Sequence, residues 1–376
     1  MMAPTLPICI QDCEFNLLDG SSVREMLHRV LPSLGGLNGL EDVRVERCWP
    51  VGANAPSGFV LEWSFRARGR RHTVYGECGT RRKIRHRPAS ARDDMGKRNH
   101  AARRPVITAD GLRGLALEVE GTDLVLRSPD QDELLPQMSV CLSGKRMAPR
   151  LRAFGLRSES NGGSEHRLRC RLGGYRPGRR ATVRFRNGES STHLCGKTFR
   201  DDRGQRVIER QLRVSEQLRR RCGSSVRVPA PVGFDHELNM ALFVWMPGVQ
   251  AETLGRGGDD LLRAAVEVLS HVHELPGTDN VGFGPEDEYA VVDRWRKCIG
   301  RLMPEAAMEA DELAVRLEAA SKQARIKERT TIHRDFYEKQ IILAPQCITL
   351  LDLDTLACGD VCVDLGNFLA HLLLRE

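Results

Sequence analysis

Apolar residues recur along this chain at two different periods, and the change falls near residue 245. Before it, short runs alternate or run wholly apolar, as strands do: 59–65, 72–75, 115–120, 123–127, 167–172, 181–186 and 240–245. Arg68-Gly69-Arg70 supplies the turn between the first two. Two helices interrupt this pattern. Val23, Met26, Leu27, Val30 and Leu31 share one face of a helix predicted over 21–34. Val207, Ile208, Leu212 and Leu218 line another over 207–218. After Pro247-Gly248 the period becomes helical. Asp259 can cap a helix carrying Leu262, Val266, Leu269, Val272 and Leu275, and a further helix spans 305–327. The fold class predicted is α+β, mostly β before Trp245 and mostly α after it. One spacing repeats: Phe65-Arg66 precedes Gly76-Glu77 as Phe185-Arg186 precedes Gly196-Lys197. Two accounts stand for it, coincidence or a degenerate copy with Glu77 at the lysine position.

The chain has 376 residues and a 41% apolar fraction, enough for two or three domains with buried cores. No run of 18 apolar residues and no basic-then-apolar leader occurs, so neither a membrane span nor a signal peptide is expected, and a cytoplasmic location is. None of the 12 cysteines forms Cys-x-x-Cys, which argues against structural zinc and for reduced, mostly buried thiols. The net charge of +7 is concentrated: residues 66–104 hold 14 Lys/Arg against 3 Asp/Glu, leaving the rest of the chain near −4. Such a segment could meet a polyanion, yet 81–104 contains no aromatic residue to stack on bases. It reads as a solvated linker, and nucleic acid is not an expected partner.

The chemistry concentrates after Thr331. His333-Arg334-Asp335 is followed by Gln340, then by Leu351-Asp352-Leu353-Asp354, then by Gly359-Asp360 and Asp364. One carboxylate placed to orient a hydroxyl and another placed to hold a nucleotide's Mg²⁺ suit phosphoryl transfer. Ile341–Leu343 and Cys347–Leu351 form a hairpin signal around Ala344-Pro345-Gln346. A turn centred near 346 sets Gln340 opposite Asp352, two hard oxygen donors of the kind Mg²⁺ takes. His333 is assigned a structural role beneath the loop. Asp360 is positioned to accept N–H bonds from that loop, and Asp364 to cap the last helix near Leu365.

These residues resemble the aminoglycoside phosphotransferase/choline kinase family. Its pattern is His-Gly-Asp with Asn five residues on, then Ile-Asp-Phe and Gly-Asp-Pro-x-x-Asp-Leu-Ala. The resemblance covers roughly 165–376 and is strongest after 331. It implies a two-lobed protein-kinase-like fold, with an antiparallel β N-lobe, a mainly helical C-lobe and an extra N-terminal α/β region. The implied division is 1–104, 105–246 and 247–376. It also implies an ATP- and Mg²⁺-dependent kinase acting on a small-molecule hydroxyl acceptor. Asp335 would then be the catalytic Asp, and Gln340 and Asp352 the metal ligands. Lys197 would be the phosphate-binding lysine, paired with Glu209 in preference to Glu216. Trp245 and Met246 would form the inter-lobe hinge that meets adenine. Three departures stand out: Gln340 replaces Asn, Arg334 replaces Gly, and the chain ends at Glu376 where family members continue with further helices. The alternative they raise is an incomplete, catalytically degenerate nucleotide-binding remnant.

Overall fold

A computed structural model describes residues 17–30, 40–51, 58–67, 69–78, 106–108, 111–119, 122–155, 168–187, 193–251, 259–277, 281–324 and 328–374. The basic segment 81–104 and the predicted helix end at 31–34 lie outside the described residues. In chain order the elements are α1 (Gly20–Val30), β1 (Glu41–Val51), β2 (Gly58–Ala67), β3 (Arg70–Cys78), β4 (Val106–Thr108), β5 (Gly111–Arg113), β6 (Ala116–Glu118), β7 (Leu124–Arg127), α2 (Met138–Cys141) and α3 (Gly144–Ala153). They continue with β8 (Arg169–Arg176), β9 (Arg180–Arg186), β10 (His193–Phe199), α4 (Arg203–Cys222), β11 (Val226–Arg227), β12 (Pro231–Asp235), β13 (Met240–Val244) and β14 (Val249–Gln250). The rest is α5 (Asp259–His273), α6 (Pro285–Leu302), α7 (Ala307–Gln323), β15 (Thr330–Ile332), β16 (Ile341–Ala344), β17 (Cys347–Leu350), β18 (Ala357–Gly359) and α8 (Cys362–Leu374). The strand β1 and the helix α6 are absent from the sequence prediction. In β1 its mixed polar pattern hides it (Glu41, Arg44, Glu46, Arg47), and in α6 the charged groups Glu286–Glu288 and Asp293, Arg294, Arg296 and Lys297 mask the apolar positions.

The chain forms two compact units. One comprises Met1–Met147, Cys170–Ala181 and Arg294–Ala310, the other Ala148–Arg169, Thr182–Asp293 and Asp311–Glu376. In the first unit β1-β2-β3-β7-β6 make one antiparallel sheet. Phe59, Leu61, Trp63 and Phe65 alternate onto one face of β2 and bury against Val23, Met26 and Leu27 of α1. Asp19 starts that helix by accepting the Ser22 amide at 2.8 Å. Ala67 pairs with Arg70, and Gly69 between them has φ +70°, as the predicted turn requires. Gly76 admits the Trp63 ring, since a Cβ there would lie 2.3 Å from Cη2. Because β7 pairs with β3, the expected boundary at 104/105 is displaced: β6 and β7 finish the N-terminal sheet instead of starting a nucleotide-binding lobe.

The second unit has the expected two-lobed architecture. In its small lobe the strands run β9-β10-β13-β12, and α4 lies between β10 and β12 in sequence. The first unit shows the same order in β2-β3-β7-β6, so the repeated spacing is accompanied by a repeated topology. Gly76 and Glu77 pair with Leu126 and Val125, as Gly196 and Lys197 pair with Leu242 and Ala241. In the large lobe, one apolar cluster joins Val214 and Leu218 of α4 to Val268 and Val272 of α5, Ile341, Leu350, and Phe336 and Phe368 beside the predicted catalytic loop. Nine described cysteines are free, but Cys78 is disulfide-bonded, which corrects the expectation that all are reduced. No described helix is long and apolar enough to cross a membrane.

Candidate active site

The segment from β15 to α8 places the acidic residues. β15 pairs antiparallel with β18, Thr331 opposite Cys358, so the loop after Ile332 leaves the ribbon where the chain enters β18 at Ala357, and the turn after Gly359 leaves at the opposite end. Gly359 is required there, because a Cβ would lie 2.5 Å from Ile332 Cδ1 and 2.8 Å from the Phe283 carbonyl. His333 follows and is fully buried. Its amide donates to Asp364 (2.8 Å), its carbonyl accepts from the Thr355 hydroxyl (2.8 Å), and Nδ1 accepts the Asp335 amide (3.3 Å). Nε2 therefore carries the proton and donates to the Leu351 carbonyl at 2.9 Å. Both ring nitrogens are engaged, so the imidazole shapes the loop and has no nitrogen left for proton transfer.

The roles expected of Asp360 and Asp364 are exchanged. Asp364, with no exposed surface, receives the amides of His333 and Arg334 (2.8 and 2.7 Å), and His273 Nε2 on α5 lies 2.9 Å away. Asp360 instead accepts the Cys362 amide at 2.8 Å and caps α8, which starts at Cys362 and not near Leu365. That N–H bond holds the Asp360 carboxyl below its ordinary range. Asp364 reaches the loop because it sits in the first turn of α8 with its side chain buried.

Arg334 has φ +70°, which accounts for the glycine of the family pattern at this position. Its guanidinium lies 3.5 Å from the Phe283 ring centroid, and burial lowers its pKa against the raising effect of Glu288, Asp287 and Asp364. Asp335, next in the chain, is half-buried at the mouth of the loop.

The hairpin forms as predicted but one residue out of register. Ile341 pairs with Leu350 and Ala344 with Cys347, so the turn is Pro345-Gln346 and Gln340 faces Leu351, not Asp352. The Leu351 amide donates to the Gln340 carbonyl at 2.8 Å, and Asp352 turns away in the left-handed region at φ +54°. Gln340 is buried.

Lys197, on β10 opposite Ala241, reaches this turn. Its Nζ lies 2.7 Å from Asp352 Oδ1 and 2.6 Å from Asp354 Oδ2. The glutamates expected to pair with it are elsewhere. Glu209 is exposed and accepts from Gln205, and Glu216 binds Arg219 and Arg220 on the surface of α4. What α4 sends toward the site is Arg210, whose Nη1 donates to the carbonyls of Leu353 (3.0 Å) and Asp354 (2.7 Å). Asp354 is thus a site residue that the sequence reading passed over. The Asp-x-Asp spacing was its only signal; Arg210 had none.

At the hinge, the Trp245 amide continues the β10–β13 ladder by donating to the His193 carbonyl (2.9 Å), so it is occupied within the sheet. Arg184 lies 4.1 Å from the Trp245 ring centroid. Met246 follows, half-buried, before β14 pairs with β16 in the large lobe.

The profile of the phosphotransferase enzyme family matches residues 173–375, more than half of the chain. The chain belongs to this family. No curated protein matches it by sequence. Among solved structures, it is similar to a spectinomycin phosphotransferase in complex with ADP and spectinomycin, at 13% identity and TM-score 0.42, over 59% of this chain and 71% of that one. It is also similar to a choline/ethanolamine kinase family protein from Mesorhizobium loti, at 15% identity and TM-score 0.40, over 60% and 71% of the two chains. A choline kinase from Cryptosporidium parvum aligns at 9% identity and TM-score 0.44, over 61% and 69%. The match begins within β8, so the first unit's sheet lies before the family's territory.

The donor set fits a divalent cation. Two carboxylates converge on one positive group, and Asp352 and Asp354 offer only hard oxygen donors. Among the described residues no group of three or more His, Cys, Asp or Glu forms a self-sufficient metal cage. Mg²⁺ bound through phosphates needs none, since it takes one or two protein ligands and completes its shell with phosphate and water.

Proposed function

We propose that this chain is an ATP-dependent phosphotransferase that phosphorylates a hydroxyl of a small molecule. The observation that carries the reading is the convergence of Lys197, Asp352 and Asp354 beside a loop braced at two of its amides, those of His333 and Arg334, by Asp364. Asp335 orients the acceptor hydroxyl and takes its proton as that oxygen bonds to the γ-phosphorus and the bond to the departing ADP breaks. Lys197 stabilises charge on the α- and β-phosphates, and the hinge at Trp245–Met246 borders the base. Asp352 and Gln340 would hold Mg²⁺, which when bound would supply charge neutralisation on the phosphate oxygens. His333, Asp364 and Thr355 fix the loop in advance, so that positioning contributes most of the rate.

The test is calorimetric titration with ATP, with and without MgCl₂, followed by an acceptor screen beside Asp335→Asn. Mg²⁺-dependent binding, and transfer that the variant lacks, are expected. A folded protein that binds no nucleotide, or that transfers phosphate no faster than Asp335→Asn, would refute the reading and leave the degenerate remnant in its place.

A further inference from the structure

Resting on that reading, we propose that Asp354 is the positioning residue for Lys197, the task the sequence reading gave to a glutamate of α4. The geometry supplies three independent observations. Asp354 Oδ2 is 2.6 Å from Nζ, and its side chain is 5% exposed, against 24% for Asp352. The glutamates of α4 face solvent with partners of their own. Finally, α4 does act on the site, but through Arg210, which fixes the backbone of the very turn that carries Asp354.

The two carboxylates therefore divide their work. When a nucleotide enters with its metal, Asp352 must turn its charge to that metal and can no longer hold the lysine. Asp354, deeper and pinned through its own carbonyl, keeps Nζ directed at the phosphates. Helix α4 supports the lysine indirectly, by holding the turn, so no strand-to-helix ion pair is needed. Without Asp354, Lys197 falls wholly to Asp352 and competes with the metal for it. The consequence is specific: Mg²⁺ should lose its ability to strengthen nucleotide binding, while binding of nucleotide alone changes little.

The experiment measures ADP affinity by calorimetry with and without MgCl₂, and melting temperature without ligand. In Asp354→Asn the enhancement of affinity by Mg²⁺ is expected to fall at least about tenfold. Asp354→Glu, which keeps the charge, is expected to recover most of it. In ligand-free protein, Lys197→Met and Asp354→Asn should each lower the melting temperature, and the double variant should lose less than their sum. An unchanged Mg²⁺ enhancement in Asp354→Asn would overturn the proposal, as would additive melting losses. A loss of enhancement in Glu209→Gln or Glu216→Gln of the size expected for Asp354 would overturn it in favour of α4. If the folded wild type binds no ADP, the kinase reading fails and the positioning role with it. The melting cycle would then report only whether the ion pair exists.

Discussion

Asp364 shows how much one buried carboxylate can organise. It accepts two loop amides and faces His273, so removing it leaves two N–H groups of a largely buried loop without their acceptor. Asp364→Ala is expected to cost about 2–4 kcal/mol. Urea denaturation measures this, and a loss below about 1 kcal/mol would mean that the amides find other acceptors. Arg334 is the opposite case, a side chain on a backbone that disfavours it. Both Arg334→Ala and Arg334→Gly lose the contact with Phe283, but only glycine relieves the positive φ. The glycine variant should be the more stable by about 0.5–1 kcal/mol, read in the same denaturation series; an alanine variant of equal stability would show that φ is unstrained. The sequence pattern located both residues. It misassigned Asp364 because an acid in the first turn of a helix reads as a cap, and only the orientation of α8 shows which of the two acids faces the loop.

At the scale of elements, the N-terminus of α8 gives a pH-dependent test. Asp360 caps it, and the Cys362 amide lowers its carboxyl below the ordinary 3.8. A carboxyl lowered in the fold adds stability above its unfolded value and loses it as pH falls through the folded one. Asp360→Ala should therefore melt below wild type at neutral pH, by a loss of about 1 kcal/mol. The gap should close as pH drops below 3.8, and a gap that persists in acid would exclude the cap as its cause. The two small-sheet glycines offer a comparison between elements. A Cβ at Gly76 meets the Trp63 ring at 2.3 and 2.4 Å, whereas one at Gly196 meets Met240 Sδ at 2.5 Å and Phe185 at 2.7 Å. Methionine can bend aside where indole in a filled core has nowhere to go. Gly76→Ala is expected to cost about 1–3 kcal/mol and Gly196→Ala less, as thermal denaturation of the pair would show; the reverse order would count against this packing argument. Apolar periodicity revealed β2, β3, α4 and α5. It missed β1, whose exposed face is largely charged, and it misplaced β6 and β7, because a strand's sequence does not say which sheet it joins.

For the whole molecule, each unit encloses its own apolar cluster, one around Trp63 and one around Phe336. Heating should therefore give two transitions, and ADP with MgCl₂ should raise only the one that Asp364→Ala lowers, leaving the one that Trp63→Ala lowers in place. Calorimetry of the three proteins decides it, and a nucleotide shift in both transitions would show that the units unfold together. The family and the α+β class were legible because chemistry after Thr331 needs particular residue types at close spacing, and local spacing is written in the chain. Asp335, Gln340 and Asp352 could be proposed for that reason. Partnerships over long separations were not legible. Lys197 meets Asp352 and Asp354 across more than 150 positions, and nothing near Lys197 distinguishes those acids from Glu209 or Glu216. The one-residue error in the hairpin shows the same limit at short range, since a turn of Pro345-Gln346 and a turn centred on 346 fit one sequence equally well. By itself the sequence determined the family and the short stretch after Thr331 in which the candidate groups lie. The tertiary structure decided which of them face one another, because that depends on sheet order, register and helix orientation, all set by packing between distant segments.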